Sequence, residues 1–162
     1  MDLLTHTTES VAPGESNPCL APHTRVLVWR KGYVPACEVA VGSLLVTPPD
    51  LSHQPTTTVR EIRRFKSTRF IQIHGSIDVT EGHPFLTAGG SWVRAGDLAT
   101  GDWLVGPHGP RRLESISRLH RAQTTVIDIV ADAPFLVEGF VTMGKSVFLQ
   151  LEESVNAVRR TA

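Results

Sequence analysis

The chain of 162 residues has only two cysteines, Cys19 and Cys37, no long apolar run and no net charge. Two cysteines are no disulfide scaffold, although a single bridge between them is compatible with the sequence. Without an apolar run of about 20 residues there is no helical membrane span. The balance of acid and base leaves no basic excess for a nucleic-acid interface. The histidines other than His83 (His6, His23, His53, His74, His108 and His120) are scattered, and none pairs with either cysteine at zinc-site spacing. No metal and no cofactor is therefore expected. The N-terminus, Met1-Asp2-Leu3-Leu4-Thr5-His6, has neither the basic start nor the apolar stretch of a signal peptide, which makes the cytoplasm the default location.

What is present is enough chain for one domain with a real core. Residues 1–18 are rich in Ser, Thr, Glu, Pro and Gly without apolar periodicity, and are expected to form a flexible leader. After Cys19, strand signals recur at short intervals between Gly and Pro residues. Strands are predicted at Arg25–Arg30, Gly42–Thr47, Thr56–Phe65, Arg69–His74, Ile77–Thr80, Ser91–Arg94, Trp103–Gly106, Arg111–His120, Thr125–Ala131 and Phe135–Thr142. The stretch Val46–Pro55 is predicted as a loop. Only the tail, 145–162, carries helical spacing, through Phe148, Leu151, Val155 and Val158, with Arg159 and Arg160 where a helix C-terminus favours cations. The expected organisation is a leader (1–18), an all-β domain (19–144) and a short C-terminal helix (145–162).

The β region contains a duplication. Tyr33 to Val46 aligns with Trp92 to Val105 at a constant offset of 59, with Val34/Val93, Ala36/Ala95, Ala40/Ala99, Gly42/Gly101, Leu45/Leu104 and Val46/Val105 identical. Two copies suggest a pseudo-two-fold β domain and are too few for a solenoid. Cys37 falls where the second copy has Gly96, which favours a packing role for it.

Four residues carry candidate chemistry. Cys19 stands at the junction of leader and domain, where its sulfur can reach the carbonyl of Pro18. A free thiol, pKa about 8.5, needs a base or a positive field to become a nucleophile. The plain alternative is a small buried hydrophobe. In Val79-Thr80-Glu81-Gly82-His83-Pro84-Phe85, His83 can protonate a departing amide nitrogen, and Thr80 can orient or polarise that amide. Pro84 keeps His83 out of helical geometry. The plain alternative is a turn with a surface histidine. Asp128, inside Val126-Ile127-Asp128-Ile129-Val130, either shares an apolar face with Val126 and Val130 and exchanges a proton with the thiol, or lies on a solvated face opposite Ile127 and Ile129.

Together these segments resemble the Hint superfamily, which comprises inteins, bacterial intein-like domains and the autoprocessing domain of hedgehog proteins. Cys19-Leu20-Ala21-x-x-Thr24-x-Val26 is similar to the N-terminal block. Val79 to Phe85 is similar to the Thr-x-x-His block, continued by Gly90-Ser91-Trp92-Val93-x-Ala95-x-Asp97-Leu98-x-x-Gly101-Asp102. Val126 to Ile129 and Phe135 to Val141 are similar to the final blocks. The resemblance spans about residues 19–144. It implies an all-β horseshoe with pseudo-two-fold symmetry. It also implies Cys19 as nucleophile of an N-to-S acyl shift, Thr80 and His83 activating the Pro18–Cys19 bond, and Asp128 assisting proton transfer.

The chain departs from splicing inteins at three places. Met143, Gly144 and Lys145 stand where inteins carry His-Asn and then Cys, Ser or Thr, and Ser146 lies one residue beyond the acceptor position. No side-chain amide is therefore available to cyclise, and full splicing is not expected. Ala133 aligns with the histidine of the penultimate block, and Pro18 precedes the nucleophile.

The leading expectation is single-turnover self-cleavage. The chain's own N-terminal segment is the substrate, and the thioester is resolved by water, an amine or another small nucleophile. A hedgehog-like lipid acceptor ranks lower, because the stretch after Met143 is short. The rival from another class is a degenerate Hint fold acting as a binding or scaffold module. An unrelated cysteine hydrolase with a Cys19–His83 dyad ranks last.

Overall fold

The computed structural model describes residues 17–144 and the backbone of 5–7. The elements in chain order are β1 (Thr5–Thr7), β2 (Arg25–Val28), β3 (Gly32–Pro35), β4 (Leu44–Val46), β5 (Thr56–Thr58), β6 (Glu61–Ile73), β7 (Ile77–Val79), β8 (Pro84–Leu86), β9 (Trp92–Arg94), β10 (Trp103–Gly106), β11 (Gly109–Arg112), β12 (Ile116–Val130), β13 (Phe135–Val137) and β14 (Phe140–Thr142), with 3₁₀ turns at Ala36–Glu38, Pro49–Leu51 and Ala95–Asp97. The domain is all-β, as expected. The helix expected over 145–162 and most of the leader lie outside the described residues.

An eight-stranded sheet runs β5-β4-β2-β13-β14-β8-β9, with β3 on β2, and curls into the horseshoe. A second sheet joins β1, β6, β12 and β7 around the two longest strands. β6 and β12 pair antiparallel from Glu61↔Val130 to Ile73↔Ile116, with one register break between His120 and Thr124. Sequence alternation resolves each of these strands into two pieces. The ladder instead runs on through Lys66 and Ser67, skips Thr68 and resumes at Arg69, and the break in β12 is a bulge that absorbs the shift in register. β1, β3 and β8 escape the sequence reading, and β1, which pairs parallel with β6, corrects the expectation of a flexible leader at residues 5–7. β8 begins at Pro84, a position where a strand tolerates proline because no ladder donor is lost. Phe135–Thr142 is a hairpin rather than one strand. Glu138 and Gly139 both take positive φ, 43° and 88°, the conformation of a two-residue hairpin turn.

The duplication is structural. In each copy the aromatic strand leads into a 3₁₀ turn, Ala36–Glu38 or Ala95–Asp97, then to a glycine of positive φ, 92° at Gly42 and 97° at Gly101, then to β4 or β10. Backbone bonds repeat at the same offset. Ala36 N donates to Thr24 O as Ala95 N does to His83 O, and Cys37 N donates to Pro22 O as Gly96 N does to Glu81 O. The bridge Thr87↔Leu104 is the counterpart of Val28↔Leu45. The repeat thus extends back past its identical residues and makes Thr24 the counterpart of His83.

The main core packs Leu45, Ile62, Ile73, Phe85, Leu104, Ile127, Ile129, Phe135 and Phe140 between the sheets. Each such side chain contributes about 1.5–3 kcal/mol by leaving water. A smaller cluster holds Cys19 and Ala21 against Phe65, Phe70 and Val126. The two cysteines are not bridged, and Cys37 is exposed. Its expected packing role is therefore wrong. The repeat aligns the backbone of the turn, whose 37 position faces outward, while the equivalent Gly96 lies close to the Glu81 carbonyl.

Candidate active site

The segment Cys19-Leu20-Ala21 is threaded between β7 and β12. Leu20 N donates to Ile127 O (2.8 Å), Ile127 N to Leu20 O (2.9 Å), Ala21 N to Asp78 O (3.0 Å) and Thr80 N to Cys19 O (3.0 Å). Leu20 bridges Val79 on one side and Ile127 on the other, so one step along each register Cys19 stands opposite both Thr80 and Asp128. Directly opposed residues of antiparallel strands project to the same face. Three of the four candidate residues are thus collected on one face by backbone pairing alone.

The Thr80 hydroxyl holds the chain on both sides of Pro18. It accepts from Cys19 N (2.9 Å) and lies in a short hydrogen bond on the Asn17 carbonyl. Its single proton goes to a carbonyl, so the Cys19 amide nitrogen is the donor in the first contact. That nitrogen belongs to the Pro18–Cys19 peptide bond.

His83 closes the turn that Thr80 opens, with His83 N donating to Thr80 O at 3.1 Å. Its carbonyl is tied to Ala95 of the second 3₁₀ turn. The ring is buried, with Phe85 edge-on at 5.4 Å and Nε2 at 2.5 Å from Thr142 Oγ1. The surface-histidine alternative is therefore incorrect. Desolvation drives the imidazole pKa down from 6.5 to about 3, partly opposed by the Pro18 backbone, which favours the charged ring. At neutral pH this histidine is uncharged.

Asp128 is buried between buried Ile127 and Ile129 and beside buried Val126. The choice between an apolar and a solvated face does not arise, because β12 is enclosed on both sides here. Ile127 and Ile129 enter the main core, and Val126 joins the Cys19 cluster. Gly144 packs against this strand. A Cβ placed on it would lie 2.1 Å from Ile129 O and 3.2 Å from Asp128 Oδ1, so the backbone approaches as only glycine can.

Sequence reasoning missed two residues around the site. Asp78 is buried, and its carboxylate takes Arg121 (2.8 Å), Gln72 (2.9 Å) and His23 (3.1 Å). Its backbone exchanges bonds with the Thr24 hydroxyl at 2.8 and 3.1 Å. It therefore fastens the Cys19–Thr24 segment to the strand that leads into Thr80. The available signal was an acid between two β-branched residues, Ile77-Asp78-Val79, the same pattern that drew attention to Asp128. The other is Thr142, one threonine in an apolar strand, which carried no distinguishing signal. Among the described residues no group of three or more His, Cys, Asp or Glu could hold a metal ion, and no helix is long and apolar enough to cross a membrane.

The fold matches that of solved structures. A bacterial intein-like domain from Clostridium thermocellum superposes with a TM-score of 0.64 at 21% identity, over 80% of this chain and 98% of that one. The gp41-1 intein gives 0.61 at 19% identity, over 78% and 98%. A DnaB intein from Synechocystis sp. PCC 6803 gives 0.58 at 14% identity, over 78% and 97%. The chain has the Hint fold. No protein-family model and no curated protein sequence matches it. Near-complete coverage of those chains means that this chain holds almost the whole of their fold. The segment holding Cys19 lies inside the Hint sheet rather than beside it.

Proposed function

We propose that this chain is a self-processing domain that cuts its own backbone between Pro18 and Cys19. The observation that carries the reading is the double grip of Thr80 on Asn17 and on the Cys19 amide, inside a closed site whose register also brings Asp128 opposite Cys19. A peptide bond held at its nitrogen and flanked by a buried imidazole is a substrate in position rather than a linker.

The Cys19 thiol gives up its proton, with Asp128 as the acceptor, and its sulfur attacks the Pro18 carbonyl carbon. The carbon–nitrogen bond then breaks, and the nitrogen leaves with the thiol's proton, passed on from Asp128 through His83, which gains it before giving it up, so that both side chains end as they began. The net result is a thioester between the Pro18 acyl group and Cys19 Sγ, a free Cys19 amine, and one proton moved from sulfur to nitrogen. Thr80 donates no charge. It fixes the amide by holding both flanks of Pro18. Thioester formation is uphill from an amide, so water, an amine or another small nucleophile draws it forward. Gly144 stands where splicing requires an asparagine, so the reaction ends in cleavage and not in ligation of the flanks.

The second reading, a binding or scaffold module on a catalytically silent Hint fold, is favoured by Pro18, Met143 and Gly144. A hydrolase acting on other proteins is disfavoured, because Cys19 is fully buried. A cleaved chain exposes Cys19 as an N-terminal 1,2-aminothiol, which condenses with 2-cyanobenzothiazole. Labelling that appears with hydroxylamine treatment and is absent in Cys19→Ala supports self-processing. No labelling in the folded wild type supports the scaffold reading.

A further inference from the structure

We propose that Thr142 is a positioning residue that sets the tautomer of His83, an inference that rests on the self-processing reading and extends it. The argument is a proton count. The Pro84 carbonyl can only accept, and Thr142 Oγ1 lies 2.6 Å from it, so the single hydroxyl proton of Thr142 is committed there. The same oxygen lies 2.5 Å from His83 Nε2. With the hydroxyl proton already used, Nε2 must carry the hydrogen of that contact. A neutral imidazole has one N–H, so Nδ1 carries the lone pair. Nδ1 is buried and has no hydrogen-bond partner of standard geometry among the described residues.

The consequence is directional. Since Nε2 is engaged by Thr142, the ring presents Nδ1 on the side where the Pro18 backbone acts on it. Pro18 has no N–H and offers that nitrogen only its carbonyl, which favours a proton on Nδ1, so the resting ring makes no hydrogen bond there and is poised to take a proton up. It cannot serve as a proton donor until Nδ1 has gained a proton, and once it has, Nδ1 is the nitrogen that hands it on. Thr142 reaches this position because β14 pairs with β8 at Thr142↔Phe85. Pairing across the sheet aligns the hydroxyl with the ring and with the Pro84 carbonyl at once. Valine in its place matches the shape but leaves Nε2–H and the Pro84 carbonyl unpaired in a dry site, which favours transfer of the ring proton to Nδ1.

Long-range ¹⁵N correlation spectra of the histidine rings test this on the whole chain at neutral pH. The wild type is expected to show His83 as the Nε2–H tautomer. Thr142→Val is expected to shift it toward Nδ1–H and to slow hydroxylamine-dependent cleavage by about tenfold or more. Thr142→Ser, which keeps the hydroxyl, is expected to restore both. An Nδ1–H tautomer in the wild type overturns the inference even if no variant folds. So does an unchanged tautomer and rate in folded Thr142→Val. The tautomer needs no turnover to be read. A wild type that shows Nε2–H, loses it in Thr142→Val and never cleaves therefore upholds the role of Thr142 and contradicts self-processing.

Discussion

His83 links the residue scale to a measurable property of the whole protein. Its pKa falls from 6.5 to about 3 on folding, so the unfolded chain binds the extra proton first. Between those values protonation favours the unfolded state, and stability is lost as pH falls from about 6.5 toward 3. The full effect, on the order of a few kcal/mol, is present only above the unfolded value. In chemical denaturation at pH 7 and pH 4.5, His83→Gln is expected to lose less stability over that interval than the wild type. Equal losses in the two proteins would place the imidazole in water. Thr80 gives a cleaner chemical test. Thr80→Val keeps the shape and removes the acceptor for the Cys19 amide. Cleavage is expected to fall at least a hundredfold while the amide spectrum stays folded, in the range that groups acting on a proton transfer contribute. Cleavage at the wild-type rate would mean that the hydroxyl only caps a turn.

At the scale of elements, the active segment is a short strand held between two others, and Asp78 is what fixes it there. Its carboxylate is buried while Arg121 and His23 remain partly in water, so removing it strands fewer charges than a fully buried pair would. Asp78→Ala is expected to cost about 1–3 kcal/mol in denaturant unfolding. It should also slow cleavage, because His23 in the Cys19–Thr24 segment loses its carboxylate partner, although the bonds of Ala21 and Thr24 to the residue 78 backbone remain. A variant as stable and as active as the wild type would show that the β7 ladder alone suffices. Gly144 constrains the other end. Gly144→Asn forces a Cβ into the Ile129 carbonyl, and is expected to destabilise by about 1 kcal/mol or more without producing a ligated product. Ligation in that variant would show that the strand can yield.

These elements also mark what the sequence could disclose. Cys19, Thr80, His83 and Asp128 were legible because each sits in a short segment whose order along the chain has chemical meaning. Thr142 and Asp78 were not, since their significance arises from strand pairings, β14 with β8 and the Cys19 segment with β7, that no local pattern announces. Cys37 was misread for a related reason. A repeat reports the path of the backbone, and the exposure of a turn position depends on what packs beside it. The length of β6 and β12 was hidden by their polar middles, where each strand continues past a bulge although alternation stops.

The whole molecule is a duplicated β unit made unequal at a few positions. The two copies share their 3₁₀ turns, the glycine pair Gly42 and Gly101 and the backbone bonds around them. The first copy carries Ala21 and Thr24 where the second carries Thr80 and His83. Thr24 spends its hydroxyl on Asp78 and serves the fold, while its counterpart His83 faces Pro18. On the proposed self-processing reading, the chemistry resides in the difference between the halves, while the common part frames the segment that holds Cys19. The most direct test of this account is the intact mass of the purified full chain over time, with and without hydroxylamine, beside Cys19→Ala. Scission between Pro18 and Cys19 that the nucleophile accelerates and the variant lacks is the predicted result. A folded wild-type chain whose mass never changes would contradict self-processing.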